Sequence, residues 1–281
     1  MVYTTLVSTE VLAAHLADPS WAVVDCRFKL ADESWGEREY LARHVPGAQF
    51  AHLERDLSGT KTGRNGRHPL PDVAALGHVF GRLGIADGVQ VVAYDQDTGM
   101  FASRLWALLR WLGHDAVAVL DGGLSRWVAE GRSTSSGLEH RTAREFKSVV
   151  RSEMMVSTQD IQSGMARADW RLLDARAPER YRGETEPLDR VPGHIPGALN
   201  HFFQRNLDDS GRFLPPEALR ARFHDALGDI SGDHVVCYCG SGVTACHNLL
   251  ALEQAGVHGA KLYPGSWSEW SSDPERPIER S

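Results

Sequence analysis

The sequence predicts an α/β protein of two tandem, similar domains, each a parallel sheet flanked by helices. Three observations predict it. The chain repeats itself with a period of about 145 residues, far longer than a solenoid unit. Within each half, short apolar strands alternate with helical patterns. And 281 residues are enough for two domains, each burying its own core.

The repeat is read from four matched blocks in one order. Val23-Val24-Asp25-Cys26-Arg27 answers Leu172-Leu173-Asp174-Ala175-Arg176, and His44-Val45-Pro46-Gly47-Ala48 answers His194-Ile195-Pro196-Gly197-Ala198. Val91-Val92-Ala93-Tyr94-Asp95 answers Val235-Val236-Cys237-Tyr238-Cys239, and Gly122-Gly123-Leu124-Ser125-Arg126-Trp127 answers Gly265-Ser266-Trp267-Ser268-Glu269-Trp270. A duplicated domain explains this, with halves at 1–135 and 150–281 and a linker over 136–149, rich in Ser and charge like the Ser133-Thr134-Ser135-Ser136-Gly137 run that leads into it.

In the first half, Ser8 can cap a helix to about Ala17, and Trp21 to Asp25 is a strand. A short helix follows over Glu37 to Ala42 and a longer one over Asp72 to Leu83. Val89 to Tyr94 is the central strand, Phe101 to Leu112 the next helix, and Ala116 to Leu120 another strand. The counterparts in the second half are Arg171 to Asp174, Pro215 to Ala226, Val235 to Tyr238, Val243 to Gln254 and Ala260 to Tyr263.

Composition excludes several classes. Apolar content of 42% and charged content of 24% are those of a soluble globular protein, and a formal charge of −7 argues against a general nucleic-acid binder. No apolar run reaches membrane-spanning length; Leu105 to Leu112 is interrupted by Arg110. Met1-Val2-Tyr3-Thr4-Thr5 lacks the basic and apolar regions of a signal peptide. Four cysteines, with no Cys-x-x-Cys pair, suggest neither a disulfide scaffold nor a zinc site. The expectation is a reducing cytoplasm, with no metal and no cofactor.

One stretch carries chemistry: His234-Val235-Val236-Cys237-Tyr238-Cys239-Gly240-Ser241-Gly242-Val243-Thr244-Ala245. It reads as a buried strand, a tight glycine loop, then a helix from about Val243. Cys239 therefore sits at a strand end facing a helix N-terminus, where unpaired N–H groups and the helix dipole favour a thiolate nucleophile. Cys237, one residue removed along the strand, points to the opposite face and packs.

Cys239-Gly240-Ser241-Gly242-Val243-Thr244 resembles the active-site loop of two-domain rhodanese-fold sulfurtransferases, in particular their 3-mercaptopyruvate branch. With the repeat, the resemblance covers nearly the whole chain. It implies two tandem rhodanese-like domains with the site between them, and a sulfane sulfur passing from 3-mercaptopyruvate through a Cys239 persulfide to a thiol or cyanide, with release of pyruvate. Thioredoxin or a small thiol is the implied acceptor; neither nucleic acid nor membrane is an expected partner. Asp95 stands where the second half has Cys239, so the first domain is read as non-catalytic, with Asp95 itself a strand-end turn residue or helix cap.

The resemblance also distributes roles. Ser241 matches a loop serine that assists catalysis, and the backbone of Gly240, Gly242, Val243 and Thr244 would cradle the persulfide. Arg180, in Glu179-Arg180-Tyr181-Arg182-Gly183, matches the arginine that binds the substrate carboxylate. A second arginine belongs to a Pro-Glu-Pro-Arg segment in relatives; here the chain reads Glu186-Pro187-Leu188-Asp189-Arg190-Val191, leaving Arg190 as a displaced substitute and Arg182 as its rival. Gly66-Arg67-His68-Pro69-Leu70-Pro71 resembles the segment that brings a histidine over the site, with Glu54 the nearest acidic partner for His68. Asp174 with Arg176, Asp25 with Arg27, His44, His194, Trp267 and Trp270 are read as structural.

Thiosulfate-preferring relatives place Arg and Lys at the two positions after the nucleophile. Gly240 and Ser241 stand there in this chain, which predicts only backbone N–H groups and a hydroxyl near the incoming anion and so favours mercaptopyruvate over thiosulfate. Three alternatives stay open: a thiosulfate sulfurtransferase, a non-enzymatic persulfide carrier, and a phosphatase of the same fold, which would want an Arg closing the loop where Val243-Thr244-Ala245 stands.

Overall fold

The structure, a computed structural model, describes residues 1–167 and 170–281. The chain forms two compact units, and each draws on both halves of the sequence. The first comprises Met1–Gly59, Pro71–Arg151 and Asp209–Phe213; the second comprises Thr60–Leu70, Ser152–Asp208 and Leu214–Ser281.

In the first unit the order is β1 (Leu6–Val7), α1 (Thr9–Ala14), β2 (Trp21–Asp25), α2 (Trp35–Ala42), β3 (Gln49–Phe50), α3 (Val73–Arg82), β4 (Gln90–Tyr94), α4 (Ala102–Trp111), β5 (Val117–Leu120) and α5 (Gly123–Ala129). The strands pair in parallel in the order β1-β5-β4-β2-β3. In the second unit come α6 (Thr158–Arg167), β6 (Arg171–Asp174), α7 (Pro178–Tyr181), β7 (Leu199–Asn200), α8 (Pro216–Leu227), β8 (Val235–Tyr238), α9 (Thr244–Gln254), β9 (Lys261–Leu262) and α10 (Ser266–Trp270). Its sheet, β7-β6-β8-β9, is also parallel. A single parallel bridge from Met155 to Leu262 takes the place that β1 holds beside β5.

Every residue of β2, β4 and β8 is buried, because helices cover both faces of a parallel sheet. That is why these strands read as continuous apolar runs. The helices after β4 and β8 are buried almost throughout, α4 carrying even Arg104 inside. Caps behave as their chemistry requires. The Ser8 hydroxyl accepts from Val11 N–H at 3.2 Å, and Asp72 accepts from Ala74 and Ala75. Helix α1 stops at Ala14, short of the predicted Ala17, where the His15 N–H turns back to the Leu12 carbonyl.

Each unit contains the same kind of internal brace. Arg27 donates to Asp25 Oδ2 at 2.7 Å and to the Arg43 carbonyl at 2.7 Å, while Tyr94 donates to the same carboxylate at 2.8 Å. Arg176 likewise donates to Asp174 at 2.6 Å and to the Gly193 carbonyl at 2.8 Å. His44 and His194 each place Nδ1 2.7 Å from a tyrosine carbonyl oxygen, those of Tyr40 and Tyr181. Both Asp–Arg pairs are fully enclosed, so removing one partner would strand a buried charge at a cost of about 3–5 kcal/mol. Trp267 and Trp270 pack in the core of the second unit with Tyr238 and Tyr263.

Beneath α9 lies a buried polar group. His201 Nε2 is 2.8 Å from Asn206 Oδ1, Asn206 donates to Asn248 Oδ1 at 2.8 Å, and Asn248 donates back to the His201 carbonyl at 2.9 Å. Burial holds the His201 imidazole down at about 4, against an ordinary 6.5. The folded chain thus keeps it neutral while the unfolded chain protonates it. Its contribution is complete above pH 6.5 and drains away as pH falls toward 4, by about 3 kcal/mol in total. Urea unfolding at about pH 7 and about pH 4 is expected to show a smaller acid loss for His201→Gln than for the unaltered chain. Equal losses would contradict this account.

Candidate active site

Strand β8 ends at Tyr238 and delivers Cys239 into a turn whose shape is fixed from outside. The Trp267 N–H donates to the Cys239 carbonyl and the Ser268 N–H to the Gly240 carbonyl, both at 2.9 Å. The Cys239 N–H is taken at 3.1 Å by the hydroxyl of Ser266, which donates in turn to the Tyr263 carbonyl at 2.9 Å. With its outer groups occupied, the loop turns its remaining N–H groups inward. Those of Gly242 and Ser241 approach the Cys239 sulfur at 3.2 and 3.5 Å. Gly242 has φ +77°, and a Cβ there would sit 2.5 Å from the Pro264 oxygen, so glycine is required. The Val243 carbonyl accepts from Cys246, and Thr244 opens α9.

Ser266 has φ 53°, the one non-glycine residue with positive φ among those described. Its counterpart in the first unit is Gly123, with φ 56°. A side chain in this region is strained, and here the hydroxyl it carries ties down the Cys239 amide.

The Ser241 hydroxyl and His68 Nδ1 share a hydrogen bond of 2.7 Å, with both residues buried. His68 arrives on the 60–70 segment, which packs within the second unit. The Arg67 N–H donates to Ser268 Oγ at 3.0 Å, and the Ser272 hydroxyl to the Arg64 carbonyl at 3.4 Å. Arg180, on α7, is held by Glu186 at 2.6 and 3.3 Å. Glu186 also takes Arg176 and the N–H groups of Leu188 and Asp189. It brackets Arg180 against the buried brace of the unit.

Arg180 is not alone at the loop. A Cβ built on Gly240 would lie 2.8 Å from Arg67 Nη2 and 3.4 and 3.6 Å from Arg180 Nη2 and Nη1. Arg67 is ion-paired with Asp189, whose other oxygen lies 3.5 Å from Arg180. Burial pushes the Asp189 carboxyl above its ordinary value, and Arg67 pulls it back. The expectation that only N–H groups and a hydroxyl face the incoming anion is therefore corrected: two guanidinium groups flank Gly240.

The remaining candidates are dispersed. Arg190 is exposed and, with Lys61, Arg67 and Asp189, lines a cavity of about 230 Å³. Arg182 pairs with Glu184 on the surface at 2.7 Å. Glu54 belongs to the first unit, where its N–H meets His52 Nδ1 at 3.1 Å. Burial pushes the thiols of Cys237 and Cys26 far up, which disfavours a thiolate at either. Cys246 donates to the Gly242 carbonyl at 3.2 Å.

In the first unit the same turn is built differently. Leu124 and Ser125 donate to the carbonyls of Asp95 and Gln96 at 3.0 and 2.8 Å, as Trp267 and Ser268 do in the second. Here the loop encloses the Asp95 carboxylate, which accepts from the N–H groups of Asp97, Gly99, Phe101 and Ala102 at 2.7 to 3.2 Å. Asp95 thus acts at the strand end as a turn residue, and two of the N–H groups it accepts from, those of Phe101 and Ala102, open α4.

Sequence reasoning passed over Arg67 and Ser266. The first adjoins the histidine it singled out; the second breaks the Gly122-Gly123 pattern of the repeat. Among the described residues no three of His, Cys, Asp and Glu gather as a metal ion would require. Among the described residues no helix is long and apolar enough to cross a membrane.

The rhodanese-like domain family matches residues 8–130 and again 157–273. A probable 3-mercaptopyruvate sulfurtransferase of Pseudomonas aeruginosa is 48% identical, over 97% of this chain and 97% of that protein. A putative thiosulfate sulfurtransferase of Mycobacterium tuberculosis is 42% identical, over 92% of this chain and 90% of its own length. The solved structure of a 3-mercaptopyruvate sulfurtransferase from Leishmania major superposes with a TM-score of 0.86 at 29% identity, covering 98% of this chain and 76% of that one.

The two loop glycines are expected to respond differently to a methyl group. Gly242→Ala meets backbone at a positive φ and should cost about 2–4 kcal/mol in urea unfolding. Gly240→Ala meets only the flexible ends of Arg67 and Arg180 and should cost less than about 1 kcal/mol. Similar costs would mean that the loop is not clamped as described.

Proposed function

This chain belongs to the rhodanese family and is a sulfurtransferase, and we propose that it takes its sulfur from 3-mercaptopyruvate through a persulfide on Cys239. The observation that carries the reading is the enclosure of the Cys239 sulfur by inward N–H groups beside the Ser241–His68 hydrogen bond and Arg180. N–H groups aimed at one point stabilise a thiolate before transfer and a persulfide anion after it.

In this reading the Cys239 thiolate attacks the thiol sulfur of the donor. An S–S bond forms, the C–S bond breaks, and the electron pair passes to the donor carbon as the enolate of pyruvate. Ser241, hydrogen-bonded to His68, donates to the developing enolate oxygen, and the proton of the donor's thiol, released as the persulfide ionises, goes to carbon to complete pyruvate. Arg180 holds the donor carboxylate, its guanidinium kept in place by Glu186. A thiol acceptor, a small thiol or thioredoxin, then attacks the outer sulfur as thiolate, forming its own S–S bond and returning Cys239 as thiolate.

Thiosulfate is the second reading, and the guanidinium pair beside Gly240 favours it, since a dianion gains from two nearby cations. Steady-state comparison of the two donors decides between them. The expected result is a higher kcat/KM with mercaptopyruvate, with pyruvate formed in step with the sulfur transferred. Mass analysis after donor treatment should find about 32 Da added at Cys239, one sulfur atom, and none at Cys246. Arg180→Ala should mainly raise KM for mercaptopyruvate. Persulfide on Cys246 would overturn the assignment of the nucleophile, and a preference for thiosulfate would overturn that of the donor.

A further inference from the structure

We propose that Arg67 is the second anion-binding residue of this site, forming with Arg180 a two-guanidinium clamp for the carboxylate of the donor. The inference rests on the sulfurtransferase reading above and gives Arg67 the role that the sequence alone had offered to Arg190. Three features carry it. First, Arg67 Nη2 and both terminal nitrogens of Arg180 converge within 2.8 to 3.6 Å of one point, the place a Cβ on Gly240 would occupy. That point adjoins the nucleophile in sequence, and in mercaptopyruvate only two carbons separate the sulfur from the carboxylate. An anion whose sulfur reaches Cys239 therefore brings its charge to the pair.

Second, the two cations are built in. Like charges this close repel, and two carboxylates hold them there. Asp189 accepts from Arg67 and lies 3.5 Å from Arg180, and Glu186 grips Arg180 from the other side. Asp189 is nine-tenths buried, and its second oxygen takes no hydrogen bond among the described residues. Its position between the two guanidiniums spaces them. Third, each arginine keeps a nitrogen turned to the loop. Arg67 gives Nη1 to Asp189 and presents Nη2, and Arg180 gives Nε and Nη2 to Glu186 and presents Nη1. Two guanidinium faces across a glycine suit the two oxygens of one carboxylate. Arg190, by contrast, is exposed to solvent on the wall of the adjoining cavity.

The test compares the full chain with Arg67→Gln, Arg67→Lys and Arg190→Gln, each checked for an unchanged melting transition. The first readout needs no sulfur donor. Cys239 is alkylated with iodoacetate, an anion, and with neutral iodoacetamide; in each case the thiolate forms an S–C bond and iodide leaves. The ratio of the two rates at Cys239, followed by mass analysis, isolates attraction of an anion from any change in the thiol itself. Arg67→Gln is expected to lower the ratio about tenfold, with Arg67→Lys between it and the unaltered chain because a point charge replaces the fork. The second readout is kinetic: Arg67→Gln should raise KM for mercaptopyruvate about tenfold and change kcat much less. An unchanged alkylation ratio in Arg67→Gln, or an equal fall in Arg190→Gln, would overturn the proposal. If the unaltered chain turns over no mercaptopyruvate, the donor assignment fails and the alkylation ratio still decides the role of Arg67.

Discussion

Two backbone carbonyls, those of Cys239 and Gly240, are claimed by the first N–H groups of α10, and the rest of the site depends on that pairing. A turn between a strand and a helix has more polar groups than partners. With its outward carbonyls spent on a neighbouring helix, its N–H groups are left to face inward and must find an acceptor. The chain supplies a sulfur in one unit and a carboxylate in the other.

The contrast between the two acceptors separates architecture from chemistry. The Asp95 carboxylate accepts from four N–H groups, two in its loop and two where α4 begins. Among the described residues the Cys239 sulfur faces the N–H groups of Gly242 and Ser241, at 3.2 and 3.5 Å. The same carbonyl clamps, the same buried Asp–Arg brace and the same His–Tyr contact therefore support a turn around a carboxylate and a turn around a thiol. Fold alone would not distinguish them; the occupant of the turn does.

Much of this was legible in the sequence because its causes are local. β2, β4 and β8 announce themselves as continuous apolar runs, as strands buried on both faces must. Cys239 was found from a strand, two glycines and a helix start. Asp95 was read as a strand-end turn residue or helix cap from its place in the repeat. The two-residue strands β1, β3, β7 and β9 are too short to show a period, although β9 lay within a predicted longer strand. Arg67 escaped because its meaning lies in Asp189 and Gly240, more than a hundred residues away along the chain. Ser266 escaped because positive φ has no sequence signal when the residue is not glycine.

The passage of residues 60–70 into the second unit and of 209–213 into the first gives the duplication a different history from that of two beads on a string. A freshly doubled domain would be self-sufficient in both copies, and either could be lost without harm to the other. Here the unit that holds Cys239 takes His68 and Arg67 from residues 60–70, in the first half of the sequence. A C-terminal fragment cut at the linker would carry Cys239, Ser241 and Arg180 but neither His68 nor Arg67. The second unit is therefore not made from the second half of the sequence alone, and neither half could be removed without taking part of the other unit with it.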